Sequence, residues 1–199
     1  MVLRRTTSYQ SPTNVMDNKL QIATFANGCF WCTEAVFNRI KGVTSVESGF
    51  AGGKMQNPTW EQVSMGTTGH AESIQIQFDP QVISYEKILD IFWATHDPTT
   101  LNQQGYDTGT EYRSAIFYHD EQQKKIAEES KAKLGKSGKY KDPIVTEIVP
   151  FTNFYEAGEY HKNFYESGKR PDYCRAIIDP KIQKLMKNFK DEVKEEYKK

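Results

Sequence analysis

Two cysteines, Cys29 and Cys32, sit three residues apart in "GCFWC" at 28–32, with two large rings, Phe30 and Trp31, between them. Thiols at this spacing can bind a metal, pass electrons through a disulfide or attack an electrophile. Residues 20–25 alternate as a strand does, and Asn27-Gly28 breaks the pattern just before Cys29. Cys29 therefore falls where a helix begins. The free N–H groups there carry about half a positive charge and favour a thiolate. Read instead as a small apolar residue, Cys29 would be an inert part of the core. The two rings make an apolar wall beside the sulfur, suited to a greasy substrate group. Successive helical positions point about 100° apart, so both rings are not expected to face the core equally. Glu72 is the second chemical candidate. In "HAESIQIQF" at 70–78 it shares strand parity with Ile74, Ile76 and Phe78, the face expected to be buried. Burial raises a carboxyl pKa, and a protonated carboxyl beside a thiolate is an acid–nucleophile pair. A Glu72 that reached solvent from the strand end, or paired with a basic side chain, would be no such acid.

These groups need elements to hold them. Helical spacing over 30–41 puts Val36 and Ile40 on one face, with Gly42 as the stop. A short strand at 43–50 ends in Gly52-Gly53. Ser84 can cap a helix carrying Tyr85, Ile88, Leu89, Phe92 and Trp93, which stops before Pro98. The polar loop "DPTTLNQQGYDTGTE" leads to a strand at 112–118, and loops this long often carry function. A charged helix at 121–134, a strand at 144–149 and an aromatic helix near 153–165 follow. Then come the loop "ESGKRPDYC" and an amphipathic stretch with Ile182, Leu185, Met186, Phe189 and Val193 on one stripe. The order β-α-β, β-α-β, then further α and β, predicts an α+β protein. Its core is a ferredoxin-like split β-α-β arrangement with helices packed on a mixed sheet, followed by a coil-rich C-terminal segment and a terminal helix. The expected divisions are a disordered tail at 1–18, a catalytic domain at 19–179 and a C-terminal amphipathic helix at 180–199.

Lys and Arg number 26 against 26 Asp and Glu, so zero net charge gives no reason to expect a nucleic-acid partner. Three cysteines are too few for a disulfide scaffold and suit a reducing compartment. No apolar run approaches the roughly 18 residues of a membrane span, and the N-terminus lacks a secretory apolar core. Residues 1–16 hold Arg4 and Arg5 and no acid. An organelle-targeting segment is one reading of them; a plain tail with a cytoplasmic location is the other, and the one expected. His70, His96, His119 and His161 are widely spaced, which argues against a metal module built on the cysteines. No metal is expected. A general thiol–disulfide oxidoreductase is the other rival.

"GCFW" at 28–31 resembles the active-site signature of the type A peptide methionine sulfoxide reductases. "GFAGG" at 49–53, "NPTWEQV" at 57–63, "TGHAE" at 68–72, "HDPTT" at 96–100, "QGYDTGTEYRSAI" at 104–116 and "FYEAGEYHKNFY" at 154–165 are similar to further segments of that family in the same order. The resemblance implies the split fold and a set of roles. Cys29 would attack the sulfoxide sulfur and become a sulfenic acid. Phe30 and Trp31 would wall the pocket for the S-methyl group. Glu72 would protonate the sulfoxide oxygen, and Asp107 and Tyr112 would orient and polarise the substrate, the S epimer. Trp60 stands where the family usually has a tyrosine, so an indole N–H would serve there; Phe50 replaces another. Cys174 resembles the family's distal recycling cysteine. As part of a mobile loop it is expected to resolve the sulfenic acid ahead of Cys32, one helical turn from Cys29. The resemblance also implies no bound cofactor and an external thioredoxin-like reductant. The partners would be oxidised proteins carrying methionine S-sulfoxide and thioredoxin, with no membrane and a monomeric enzyme.

Overall fold

The computed structural model describes residues 19–198, and the expected tail at 1–18 lies outside them. The first half of the chain runs β1 (Gln21–Asn27), α1 (Phe30–Phe37), β2 (Val43–Ala51), α2 (Trp60–Ser64), β3 (Ala71–Phe78) and α3 (Tyr85–Thr95). A small hairpin follows, β4 (Gln103–Gln104) with β5 (Asp107–Thr108). Then come β6 (Ser114–Tyr118), α4 (Glu121–Lys136), β7 (Glu147–Pro150) and β8 (Phe154–Glu156). Among the described residues, six strands form one sheet in the order β7-β6-β1-β3-β2-β8. β3 lies between β1 and β2 and is antiparallel to both, so two β-α-β units interleave. β7 joins β6 in parallel, which makes the sheet mixed, as expected of the α+β class.

Phe25 of β1 explains why the helices gather on one face. Its ring meets Phe37 of α1 at 5.8 Å and Phe92 of α3 at 5.3 Å, so both helices bury apolar faces against the same strand. β3 is the central strand, and Ile74, Ile76 and Phe78 are wholly buried on the face that also carries Glu72.

Three stretches differ from the sequence reading. No helix forms near 153–165. β8 pairs there with the edge of β2, and a single 3-10 turn, Glu159–His161, follows. Gly49 makes this pairing possible: a Cβ on it would lie 2.4 Å from the Tyr155 carbonyl and 2.5 Å from the Phe154 ring. The expected loop at 166–174 ends in helix. Pro171 opens α5 (Pro171–Tyr173), which runs through a π-helical turn, Cys174–Ile178, into α6 (Asp179–Asn188). The helix expected over 180–199 stops at Asn188 and gives way to two 3-10 turns. Its stripe still packs inward, with Leu185 and Val193 fully buried.

Arg39, 6% exposed, pins this C-terminal region to α1. Its guanidinium donates to the Ala35 carbonyl at 2.7 Å, pairs with Glu166 at 2.6 Å, and lies over the Tyr165 and Tyr197 rings. The stem and the cation-π contacts contribute as well as the charge. Arg39→Ala should therefore cost about 2–3 kcal/mol of stability by urea unfolding. A loss under about 0.5 kcal/mol, ordinary for a surface change, would show that the clamp is idle.

Candidate active site

Cys29 occupies the N-cap position of α1. Gly28 before it has φ +94°, a left-handed conformation that favours glycine. A Cβ there would also lie 2.6 Å from the Gln104 side chain. The missing side chain thus lets the β4–β5 hairpin, with Asp107, close over the start of α1. Thr33 fastens the strand to the helix by donating to Asn27 Oδ1.

α1 is buried on every side, from Phe30 to Phe37. Phe30 and Trp31 are not expected to face the core equally, yet both are buried. α1 is a middle layer, with the sheet beneath it and the C-terminal helical segment and the 159–166 stretch above. Phe30 is fully buried and its ring meets Phe50 at 5.8 Å. Trp31 stacks face to face on Phe164 at 3.8 Å and donates its indole N–H to His161 Nδ1 at 3.2 Å. Burial holds His161 below the usual imidazole pKa, and a neutral ring can accept this bond. Glu34, on the same helix, fixes the covering stretch. Its carboxylate oxygens accept the backbone N–H of Asn163 at 2.8 Å and of Phe164 at 3.1 Å.

Glu72 is 2% exposed. One carboxyl oxygen accepts the Phe30 backbone N–H at 3.1 Å, and the other accepts the Trp60 indole N–H at 3.2 Å. These bonds favour the anion, but burial outweighs them, and the Glu72 pKa is pushed up to about 8. Glu72 therefore keeps its proton to a higher pH than an exposed carboxyl does. Trp60 aims its one side-chain donor, the indole N–H, at the acid. Tyr112, in a 3-10 turn ahead of β6, is half-buried, and burial followed by the charges of Glu72 and Cys29 keeps its phenol protonated. Arg113 holds that turn in place by donating to the carbonyls of Thr110 and Gly69, and it pairs with Glu147 on β7. Burial raises the pKa of Asp107, and the charge of Lys181 opposes the rise.

All three thiols are free and buried. Burial pushes the Cys29 thiol up, with Cys32 and Glu72 adding to it. A hydrogen bond with Cys29 pulls Cys32 down to about 7. Of the two thiols at the helix start, Cys32 therefore gives up its proton at the lower pH, and Cys29 holds its own longer. Cys174 lies in the π-helical turn, 7% exposed, and not on a mobile loop. Burial raises its pKa first, then Asp179 and Cys32. Tyr173, beside it, meets the Trp31 ring edge-on at 5.7 Å, and burial followed by the charges of Cys29 and Cys32 keeps its phenol protonated.

A buried acid, a paired thiol at a helix start and a donor-lined cleft form one cluster, and the comparisons name its family. Residues 21–193 match the model of the family described as peptide methionine sulfoxide reductase. The chain belongs to the peptide methionine sulfoxide reductases. The reductase MsrA of Sulfolobus acidocaldarius is 56% identical over 176 residues, 86% of this chain and 97% of that protein. The crystal structure of reduced Mxr1 from Saccharomyces cerevisiae superposes with a TM-score of 0.71 at 34% identity, covering 78% of this chain and 88% of that one. Mxr1 in complex with Trx2 matches with a TM-score of 0.52 at 27% identity, covering 75% and 89%. The chain is thus an oxidoreductase that returns methionine sulfoxide to methionine with thiols.

In this reductase, the groups that sequence reasoning missed are Tyr173, Glu34 and Lys181. Only Tyr173 had a signal, its place next to Cys174. Among the described residues no cluster of three metal-ligating side chains occurs, and no helix is long and apolar enough to cross a membrane.

Proposed function

We propose that this peptide methionine sulfoxide reductase acts on the S epimer of methionine sulfoxide, with Cys29 as nucleophile and Glu72 as acid. The observation that carries the assignment is the buried Glu72, whose carboxyl accepts the Phe30 and Trp60 N–H groups beside the Cys29 thiol. As the Cys29 sulfur attacks, its proton passes to the Cys32 thiolate, and Glu72 protonates the sulfoxide oxygen. Tyr112 and Asp107 orient that oxygen, while Phe30 and Trp31 supply apolar walls for the methyl group. The oxygen is transferred to sulfur: methionine leaves and Cys29 carries a sulfenic acid. Peptides of each sulfoxide epimer with dithiothreitol as reductant test the assignment. Turnover of the S epimer alone is expected. A general thiol–disulfide oxidoreductase would reduce disulfides and turn over neither.

The resolving order proposed from this geometry differs from the sequence expectation. Cys32 sits one turn into α1 and donates its backbone N–H to the Cys29 carbonyl at 3.1 Å, whereas Cys174 is fixed in a helix. Cys32 condenses with the sulfenic acid first, giving the 29–32 disulfide and water. Cys174 then attacks Cys32 to give 32–174 and a free Cys29 thiol. Mxr1 is seen in complex with Trx2, and a thioredoxin-like dithiol is the reductant assigned here. The thiol inventory suits a reducing compartment, and the reading assigned here is a monomer acting on oxidised proteins in the cytoplasm. After one turnover, Cys174→Ser should hold the 29–32 bond by peptide mapping. Cys32→Ser should cycle roughly a hundredfold more slowly, the ratio of a tethered thiol's millimolar effective concentration to a dilute external dithiol. A wild-type map showing only 29–174 would restore Cys174 as the first resolver.

A further inference from the structure

An apolar groove opens beside the thiols, with a volume of about 450 Å³. The β4–β5 hairpin forms one wall through Tyr106 and Asp107. The π-helical turn and the start of α6 form the other through Tyr173, Ala176, Ile177 and Lys181. Asp107 and Tyr173 belong to the catalytic cluster as well, so the groove is continuous with it. Two further features mark this mouth as a contact surface. Tyr106 is 94% exposed at the hairpin tip, and Leu101, just before the hairpin, is 70% exposed. A lone exposed apolar residue needs no explanation, but an exposed tyrosine on the wall of an apolar groove does. The groove carries one charge of each sign, Lys181 on the α6 side and Asp107 on the hairpin side.

We propose that this groove binds the apolar side chain next to the oxidised methionine in a peptide. The proposal rests on the reductase assignment and adds to it a preference for sequence around the target. A methionine sulfoxide that reaches Cys29 is still joined to its neighbours, and those neighbours must lie on the surface that borders the thiols. The volume is large enough for a leucine or phenylalanine side chain. The π-helical turn supplies part of the wall, and such single turns recur at functional sites.

The test compares three substrates with dithiothreitol as reductant: N-acetyl-methionine S-sulfoxide, a short peptide with glycine after the sulfoxide, and the same peptide with leucine. Wild type should show a kcat/KM about tenfold higher for the leucine peptide than for the glycine one, the worth of partly burying one such side chain. Ala176→Trp, which fills the groove from an exposed position, should abolish that ratio and leave the acetylated monomer unaffected. Tyr106→Ala, at a fully accessible tip, should reduce the ratio in the same direction without any risk to folding. Equal rates on both peptides in wild type would overturn the groove while leaving the reductase assignment intact. So would Ala176→Trp or Tyr106→Ala changing the KM for a thioredoxin and not for the peptides, since the surface would then be the reductant's. Absence of turnover on all three substrates would overturn the assignment and the groove together.

Discussion

Cys29→Ser should remove sulfoxide reduction with dithiothreitol, by roughly 10⁴-fold or more, as loss of a reacting nucleophile does. A hydroxyl at this position is far less nucleophilic and cannot hold the transferred oxygen as a sulfenic acid. The same substitution should leave the fold intact. Cys29 caps α1 but makes no side-chain cap hydrogen bond, whereas serine is among the best N-cap residues. The variant should therefore melt at or above the wild-type temperature, with up to about 1 kcal/mol gained from the cap. This opposition of effects is what makes the test informative. An inactive variant that melted early would point to a core cysteine whose loss disorders the site. An inactive variant that melts late isolates the chemistry. Retained turnover would end the role of Cys29.

The chemistry was more legible in the sequence than the scaffold over it. Cys29 could be found because Asn27-Gly28 ends a strand and a helix must start next. Glu72 could be found because strand parity put a carboxyl in a row of isoleucines. Both are local signals, set by the periods of one strand and one helix. The covering layer is different. Residues 153–165 are rich in aromatics, and an apolar run of that kind fits a helix or a strand equally well. Gly49, about a hundred residues earlier, decides for a strand by letting β8 approach β2. The π-helical turn holding Cys174 follows a proline and a loop-like "SGKR", so a mobile segment was the natural reading. Its helical state comes from packing of α6 and the turn against α1, a tertiary cause. The inward-facing pair Phe30 and Trp31 has the same origin. A helix read alone has one buried face, but a helix between two layers has no outside. Glu34 shows the limit most plainly. In sequence it is an ordinary acidic residue in a helix, and only the fold reveals that it holds the backbone of Asn163 and Phe164, and through Phe164 the cover on Trp31.

Glu72→Gln should slow release of methionine in a single turnover by about 10²–10⁴-fold, the usual span for losing a general acid. The pH profile separates this role from a structural one. In wild type Glu72 must carry its proton, and burial has moved its pKa from 4.5 up to about 8. The rate should therefore fall as pH rises through about 8. Cys32, near 7, must be ionised to take the proton from Cys29, so the rate should rise as pH climbs through about 7. The profile is a narrow bell, and Glu72→Gln should lose its alkaline limb while keeping the acid one. Stability supplies an independent check through linkage. The unfolded chain releases the Glu72 proton near 4.5, but the native state keeps it until about 8. A raised native pKa gives stability that is complete at low pH and is lost as pH rises across that window. Glutamine does not titrate, so denaturant unfolding of the variant should show a shallower decline between pH 5 and pH 8. The amide oxygen can still accept the Phe30 N–H, while its NH2 group faces the Trp60 N–H, so a modest constant offset is expected at every pH. An unchanged alkaline limb, together with the wild-type slope of stability, would mean that Glu72 is ionised in the native protein and that the acid is another group.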